Sequence, residues 1–287
     1  MERGAATRGK VAKAIAGAEA IEIKATIPDR QIRQALARFG LTSNNDEERY
    51  IYFFDTPKLD LLGAGIIARA RRVVGEAHDS TVKFRPVNPK DVGPKWRKFR
   101  DFKIEADASE TSLVKSASFS MPVAKGFIKR VAVGKKPVSA IFTAEQEAFL
   151  TAIAGHKIDF STLAVLGPLL AQRWRFADPG CPWPITAELW RRGDGKRMME
   201  LSIKAPAVQA AVAVGGFMAF LAEVGAERDK SQQAKTRWAL DYYIGKLARQ
   251  AARKGAAAKT SAPKAPRQST RKASPATARL RRTRKPA

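Results

Sequence analysis

Charged and apolar residues alternate along strand-length stretches of this chain. The stretches are EAIEIK (19–24), ARAR (68–71), TVKFR (81–85), KIEAD (103–107), QRWRF (172–176), TAELW (186–190) and ELSIK (200–204). Because successive side chains of a strand point to opposite faces, the charged residues of each stretch share one face and the apolar residues share the other. Together with ERYIYFF at 48–54 and links of hairpin length, the pattern predicts roughly eight strands in a mainly antiparallel sheet or closed barrel.

Helical spacing of apolar residues appears between and after these strands. It predicts helices at 28–40, 139–153, 207–225 and 231–253, packed outside the sheet, so that the fold class is α+β. The most apolar segment, 207–225, is rich in Ala and Gly, contains Gln209 and ends near Glu223. We therefore predict a packed helix there and no membrane span.

The charged pairs are sorted by sign, unlike the mixed coat of an ordinary half-buried sheet. Like charges two residues apart on one face repel each other unless an ion of opposite charge lies between them. If the charged faces converge, the basic set would be Lys24, Arg69, Arg71, Lys83, Arg85, Arg173, Arg175 and Lys204, and the acidic set Glu22, Glu105, Asp107, Glu188 and Glu200. This positive excess predicts a site for a polyanion and a cation.

The residue types on this face suit phosphate and a hard metal ion. Arginine presents a rigid fork of donors that matches phosphate oxygens, and several forks on different strands can hold successive phosphates. Carboxylates on separate strands suit Mg²⁺ or Mn²⁺, which would polarise a phosphoryl oxygen. The pattern thus favours phosphoryl chemistry supported by a divalent metal.

The net charge of +26 is distributed unevenly. Residues 246–287 carry fourteen Lys and Arg and no acid, which leaves +12 for the rest. We predict a flexible segment at 1–18, a folded domain at 19–253 and a disordered basic tail at 254–287, because the tail has too little apolar surface to offset its chain entropy. Its expected partner is a polyanion such as nucleic acid, polyphosphate or a membrane surface. A solubilising tail without a dedicated partner is the alternative.

Other features narrow the class. The single cysteine, Cys181, excludes an internal disulfide and a cysteine-based zinc site, and favours a reducing cytoplasm. His78 and His156 lie far apart in sequence, so neither is assigned a role. The opening segment has no continuous apolar core, which argues against a secretory signal. Gly63 and Gly65 match a dinucleotide-binding pattern, but they precede a predicted strand where that motif requires a helix.

An ordered series of motifs carries a resemblance to a known family. The series is a Glu-x-Lys first strand, YFFDTPKLDLLGAGIIARARR, TVKFR, an acidic Glu-x-Asp strand, RWRF and ELSIK. In this order the motifs resemble the CYTH, or triphosphate tunnel metalloenzyme, superfamily over residues 19–245. The resemblance implies an eight-stranded antiparallel tunnel that binds triphosphate or polyphosphate with a divalent metal. Members hydrolyse inorganic triphosphate, thiamine triphosphate or RNA 5′-triphosphate ends, and a few cyclise ATP.

Residue by residue, the resemblance implies two ligand sets. The phosphate ligands would be Lys24, Arg69, Arg71, Lys83, Arg85, Arg173 and Arg175, with Lys235 matching a late helical lysine and Lys204 added from the charged face. The metal ligands would be Glu22, Glu105, Asp107, Glu188 and Glu200.

Two positions depart from the family pattern. Ala20 stands where the family's first Glu is expected, and Ser202 stands where a second late Glu is common. A strand bulge could bring Glu19 into the position of the missing first Glu. Without such a bulge, the site has lost metal-binding charge.

The expected function is therefore metal-dependent hydrolysis of a triphosphate, either inorganic or carried by an organic substrate. A class IV-type adenylate cyclase that forms cyclic AMP from ATP is the nearest alternative enzyme. A non-catalytic polyphosphate- or nucleotide-binding protein with a degenerate metal site is the alternative from another class.

Overall fold

A computed structural model describes residues 15–108, 113–226 and 234–260, with the backbone alone for 254–260. The described residues contain nine strands. They are β1 (Ala20–Ile27), β2 (Glu47–Asp55), β3 (Ile66–Val73), β4 (His78–Phe84), β5 (Phe102–Ala108), β6 (Leu113–Val123), β7 (Ala164–Asp178), β8 (Cys181–Arg191) and β9 (Arg197–Pro206). The seven alternating stretches of the sequence fall on these strands, except for Glu19, just before β1, and Arg85, just after β4.

Six α-helices lie between or after the strands in the described part of the chain. They are α1 (Ile32–Arg38), α2 (Asp60–Gly63), α3 (Phe127–Ala132), α4 (Ala144–Ala154), α5 (Ala210–Glu223) and α6 (Lys235–Thr260). Four of them match the predicted helices, and a capping box at Thr143 and Gln146 fixes the start of α4. None of the helices in the described ranges combines the length and apolar character needed to cross a membrane.

The strands form a closed barrel in the order β1, β5, β6, β4, β3, β2, β7, β8, β9 and back to β1. Two parts of the predicted fold class are therefore wrong. The barrel has nine strands rather than eight, and it is mixed, because β1 pairs in parallel with β5. The closed barrel and the helices outside it are confirmed.

The additional strand is β6, which lies in a segment where the sequence pattern predicted no strand. Its sequence, LVKSASFSMPV, alternates serine with apolar residues and carries little charge. Ser116, Ser118 and Ser120 pair with Glu105, Lys103 and Thr81 on the neighbouring strands. The polar positions of this strand are thus mainly serines. A pattern of alternating charges does not reveal them, because serine is uncharged.

The apolar face of each strand packs against the outer helices. Ile21 and Ile23 of β1 share a buried cluster with Phe217 of α5, and Phe119 of β6 shares another with Phe149 of α4. A third cluster joins β2, β7 and β8 to α6. Because the apolar residues face outward into these clusters, the alternating polar residues face the inside of the barrel.

Gly65 explains the glycine pattern that resembled a dinucleotide site. Its φ angle is +75°, and a Cβ atom there would lie 2.4 Å from the carbonyl oxygen of Arg85. The residue ends a tight turn and leads into strand β3, as predicted, and only glycine fits this close approach without strain. The glycine therefore serves the hairpin between β3 and β4.

The chain divides into two units, residues 1–248 and 249–287. In the first unit, Ile15 is already buried, so the packed part starts before the predicted boundary at 19. In the second unit, helix α6 runs to Thr260, beyond its predicted end at 253, so residues 254–260 of the predicted tail are helical. Most of the predicted N-terminal segment (1–14) and of the tail (261–287) lie outside the described residues.

Candidate functional site

The inward face of the barrel gathers most of the charged residues that the sequence singled out. Strand pairing places them opposite one another: Arg173 is paired with Glu188, Glu188 with Glu200, and Arg71 with Asp79. Contiguous strands carry contrasting sets, which we name separately. The arginine wall is Arg49 on β2, Arg69 and Arg71 on β3, and Arg173 and Arg175 on β7; the acidic wall is Glu105 and Asp107 on β5, Glu22 on β1, Glu200 on β9 and Glu188 on β8.

Asp107 is the most deeply buried carboxylate of the acidic wall, with 1% of the residue exposed. It accepts hydrogen bonds from Nζ of Lys24 and Nζ of Lys83, both at 2.9 Å, and from Oγ of Ser116 at 3.1 Å. Burial alone would raise the pKa of Asp107, but the two ammonium groups outweigh it and hold the pKa well below its usual range. The carboxylate is ionised and fully engaged by side chains of the barrel.

The two lysines around Asp107 are held unequally. Lys24 also contacts Glu22 at 2.9 Å; burial would lower its pKa, but the surrounding carboxylates outweigh burial and raise it well above the usual value. Lys83 has only Asp107 as an ion-pair partner in the described residues. Burial lowers its pKa, Asp107 only partly offsets this, and repulsion from Lys24 adds to the lowering. Of the two lysines, Lys83 therefore gains more from a further anion.

A second lysine-centred cluster lies between β8 and β9. Nζ of Lys235, the first residue of α6, contacts Glu200 at 2.7 Å and donates a hydrogen bond to Glu188. Burial opposes the charges of both groups, yet the attraction prevails: the pKa of Lys235 is raised and that of Glu188 is held well below its usual range. Lys235 thus lies beside the charged face with two carboxylates as its partners, and its role as a phosphate ligand stays a prediction.

The outermost pair of the acidic wall is Glu105 with Lys204. The two side chains form an ion pair, and that of Lys204 is 49% exposed. Arg85, another predicted phosphate ligand, lies one residue after β4, where its backbone N–H bonds to the carbonyl of Gly65. These residues stand at the margin of the charged face, and their predicted roles remain predictions.

Two residues of the arginine wall, Arg69 and Arg173, have no ion pair within hydrogen-bonding distance in the described part of the chain. Arg173 lies 3.8 Å from Glu47 and 3.9 Å from Glu188, beyond hydrogen-bonding distance. Nε of Arg173 and Nε of Arg69 are buried without a hydrogen-bond partner in the described part of the chain. Burial, together with repulsion from neighbouring arginines, lowers the pKa of each to about 10. Both still carry their positive charge at neutral pH.

Three charged residues of the inward face were missed by the sequence analysis: Glu47 and Arg49 on β2, and Asp79 on β4. Arg49 is 7% exposed and pairs with Glu47, and Asp79 pairs with Arg71 at 3.0 Å. The signal for β2 was present in EERYIYFF, where Glu47 and Arg49 stand two apart, but the apolar end of the segment dominated its interpretation. Asp79 precedes the alternating stretch TVKFR and was not among the residues that the pattern selected.

The structure supplies no other carboxylate at the two positions, Ala20 and Ser202, that depart from the family pattern. Strands β1 and β9 pair without a register shift from Ala20 to Ile27, and Glu19 is exposed just before β1. The bulge that would bring Glu19 inward is therefore not present. Ala20 lies beside Glu105 in the sheet, and Ser202 lies between Lys24 and Thr186. Both positions lack a carboxylate on the inward face.

The carboxylates fit a divalent ion only as pairs. No group of three or more His, Cys, Asp or Glu in the described residues could hold a metal. Two pairs on adjacent strands, Glu22 with Asp107 and Glu188 with Glu200, each already surround one ammonium group. Mg²⁺ is commonly held by one or two carboxylates, with the remaining ligands from phosphate and water. The donor set thus fits a metal that arrives with a phosphate ligand.

Comparison with known proteins supports the fold. No family model and no curated protein sequence matches the chain. A solved structure of a candidate adenylate cyclase from Bacillus halodurans matches with a TM-score of 0.54 at 13% identity, over 77% of this chain and 96% of that one. A candidate adenylyl cyclase from Hippeastrum, in which triphosphatase activity is dominant, matches with a TM-score of 0.53 at 17% identity, over 76% and 93%. The predicted resemblance is confirmed at the level of the fold.

Proposed function

We propose that this protein binds a triphosphate inside the barrel and hydrolyses it with the help of a divalent metal. The observation that carries the proposal is the arginine wall, where buried Nε atoms of Arg69 and Arg173 have no hydrogen-bond partner in the described residues. Donors of this kind are costly unless an acceptor fills the space between them. A chain of phosphates offers acceptors on several adjacent groups.

The acidic wall supplies the second requirement. Mg²⁺ or Mn²⁺ would be held by Glu22 with Asp107, or by Glu188 with Glu200, and would polarise a phosphoryl oxygen when bound. Lys24, Lys83 and Lys235 neutralise these carboxylates in the structure. On binding, the lysines would turn from carboxylate to phosphate oxygens, which stabilises charge on the phosphates and frees the carboxylates. The closed barrel would exclude bulk water around the phosphates.

The direct test is incubation of the protein with tripolyphosphate, thiamine triphosphate or ATP and Mg²⁺ or Mn²⁺, followed by identification of the products. We expect orthophosphate release that a chelator abolishes. Arg69→Gln should lower turnover by about a hundredfold, as expected for loss of a charged transition-state contact. Arg100→Gln is the matched control, because Arg100 is exposed in a turn outside the barrel, and it should leave turnover unchanged. Equal rates in both variants would contradict the proposal.

The same product analysis distinguishes hydrolysis from two alternatives, an adenylate cyclase and a binding protein without turnover. The Bacillus halodurans neighbour is a candidate adenylate cyclase. Formation of cyclic AMP and pyrophosphate from ATP would therefore support the cyclase alternative. The missing carboxylates at Ala20 and Ser202 favour a binding protein without turnover. Tight tripolyphosphate binding without any product would support that second function and rule out hydrolysis.

The basic segment 254–287 is proposed to act apart from the barrel. Its cations have no acids among them to hold a metal. We therefore assign it binding of a polyanion by charge alone, with nucleic acid or long polyphosphate as the partner.

A further inference from the structure

A second cluster of cationic groups lies on the outside of the barrel. It surrounds a cavity of about 430 Å³ between the β3–β4 hairpin and the turn that precedes α3. The charged and titratable residues that line it are Arg72, Glu76, His78, Lys125 and Lys129. Glu76 is the only acid among the lining residues, so the cavity carries an excess of positive charge.

The cavity is separate from the inward face. Arg71 and Asp79 face into the barrel, so the adjacent residues Arg72 and His78 face outward by strand alternation. The guanidinium of Arg72 stacks on the ring of Tyr50, 3.8 Å from the ring centre. This contact holds the guanidinium in a defined orientation before any ligand arrives.

Two nitrogen atoms of this cavity are buried without a hydrogen-bond partner in the described residues. They are Nε of Arg72 and Nδ1 of His78. Burial lowers the pKa of His78, repulsion from Arg72 and Lys125 adds to the lowering, and Asp79 and a hydrogen bond with the backbone of Glu76 only partly offset it. Lys129 lies on the other side of the cavity. A phosphate in the cavity would be attracted by these charges, and a small turn of the Arg72 or His78 side chain would bring Nε or Nδ1 to a phosphate oxygen.

We propose that this cavity binds a small phosphate-bearing anion, independently of the barrel. Arg72, Lys125, Lys129 and protonated His78 offer donors on several sides, which matches the acceptor-only chemistry of a phosphate group. The apolar residues Val73 and Val123 also line the cavity. A phosphomonoester therefore fits better than free phosphate, because its organic part can contact these side chains. This site does not rest on the proposed triphosphatase activity.

Histidine NMR tests the site directly, since the chain has only two histidines. The untagged protein is titrated near neutral pH with glycerol phosphate, and separately with orthophosphate, while the ring resonances are recorded. His156→Gln identifies the resonance of His78. We expect a saturable shift of His78 toward the protonated position, tighter for glycerol phosphate, while His156, exposed after α4, stays unchanged. A small equal drift of both resonances without saturation would overturn the proposal.

Two double variants that each remove two lysine charges test whether phosphate binds in the cavity. Lys125→Gln with Lys129→Gln removes two cations of the cavity and should weaken binding about tenfold, through loss of two charged contacts. Lys135→Gln with Lys136→Gln removes the same charge from the exposed segment after α3 and should change binding less than twofold. Equal weakening in both doubles would show a general charge effect and refute a built site.

A further variant tests whether the His78 response arises from ligand binding in the barrel. Arg69→Gln alters the inward face and should leave the response of His78 intact, whereas Lys125→Gln with Lys129→Gln should leave tripolyphosphate turnover intact. Loss of the His78 response in Arg69→Gln would assign that response to the barrel and overturn the proposal. The two sites can therefore fail separately.

Discussion

The two walls of the barrel neutralise charge in different ways. On the acidic wall, Asp107 has two lysine partners at 2.9 Å, and Glu188 and Glu200 share Lys235. On the arginine wall, the contacts of Arg173 lengthen to 3.8 Å and beyond, and buried Nε atoms remain unpaired in the described residues. The acidic wall is balanced by lysine side chains, whereas the arginine wall is incomplete at Arg69 and Arg173, although Arg49 and Arg71 have carboxylate partners.

The difference suggests how the barrel would bind the proposed triphosphate. The arginine wall gains hydrogen bonds directly when phosphate arrives, so it would supply most of the affinity. The acidic wall must exchange lysine for metal, so it would set the requirement for the cation. Mutations on the two walls should therefore have opposite effects on the stability of the ligand-free protein.

The largest expected effect comes from Asp107→Asn. The variant leaves Lys24 and Lys83 without their shared buried anion, which typically costs about 3–5 kcal/mol when a buried pair is broken. Urea unfolding should show this loss in the free energy of unfolding. Glu105→Gln, two residues along the same strand, is the control: its partner Lys204 is half exposed, so the loss should stay below about 1 kcal/mol. Similar losses in both variants would remove the distinction between buried and marginal pairs.

The next effect concerns the arginine wall. Tripolyphosphate with Mg²⁺, at about a hundred times its dissociation constant, should stabilise the wild-type protein by about 2.7 kcal/mol. Arg69→Gln should lose most of this gain while keeping or slightly raising the stability of the ligand-free protein, because it removes a buried charge that has no ion-pair partner in the described residues. Thermal unfolding with and without ligand measures both quantities. A ligand-free Arg69→Gln protein destabilised as much as Asp107→Asn would show that the two walls do not differ.

A smaller effect should follow when a carboxylate is restored to the acidic wall. Ala20→Glu places an acid beside Glu105 and should tighten Mn²⁺ binding about tenfold, equivalent to about 1.4 kcal/mol. Calorimetric titration of Mn²⁺ in the presence of tripolyphosphate measures the change. Glu19→Ala should have no effect, since Glu19 is exposed outside β1. A loss of metal binding in Glu19→Ala, with none gained in Ala20→Glu, would reverse this assignment.

Acid should weaken the acidic wall in a predictable direction. The pKa of Asp107 in the folded protein lies below its value in the unfolded chain, about 3.9. Its stabilisation is therefore complete above about pH 4 and is lost as the pH falls through the folded pKa, by about 1 kcal/mol between pH 4 and 3. The stability difference between wild type and Asp107→Asn should shrink over this range in urea unfolding. A constant difference would mean that Asp107 is not ionised in the wild-type protein.

The smallest effect on turnover should come from deleting residues 254–287. These residues carry eleven Lys and Arg, and their removal should weaken nucleic-acid or polyphosphate binding and flatten its salt dependence. Turnover of tripolyphosphate should not change, because both walls are retained. A folded truncated protein without turnover would show that the segment contributes to the barrel site.

Most strands could be predicted from the sequence because charged and apolar residues alternate along them. The apolar residues pack against the outer helices, and the charged residues lie on the opposite face. The stretches ARAR and QRWRF, for example, correspond to parts of β3 and β7, so that Arg69, Arg71, Arg173 and Arg175 lie on strands as predicted. β6 was missed because serine carries the same alternation with little charge. Glu47 and Arg49 were missed because the aromatic residues after them made β2 look purely apolar.

The partners of the charges could not be predicted from spacing. Lys24 and Asp107 are 83 residues apart and meet only because β1 lies parallel to β5. A pattern of period two assigns a side chain to a face, but it does not say which strands are neighbours. The division into a balanced and an incomplete wall therefore required the order of strands in the barrel.

The position of β1 also has a consequence for synthesis. Its hydrogen-bonding neighbours are β5, paired from Glu105 onward, and β9, paired as far as Pro206. The second of these neighbours is therefore made long after β1. At a translation rate of about 5–20 residues per second, β1 waits roughly 10 s or more after it is made before β9 is complete. During that time its apolar face, with Ile21 and Ile23, has no finished sheet to join. We therefore expect nascent chains that stop before residue 206 to bind chaperones or aggregate, and full-length chains to escape both.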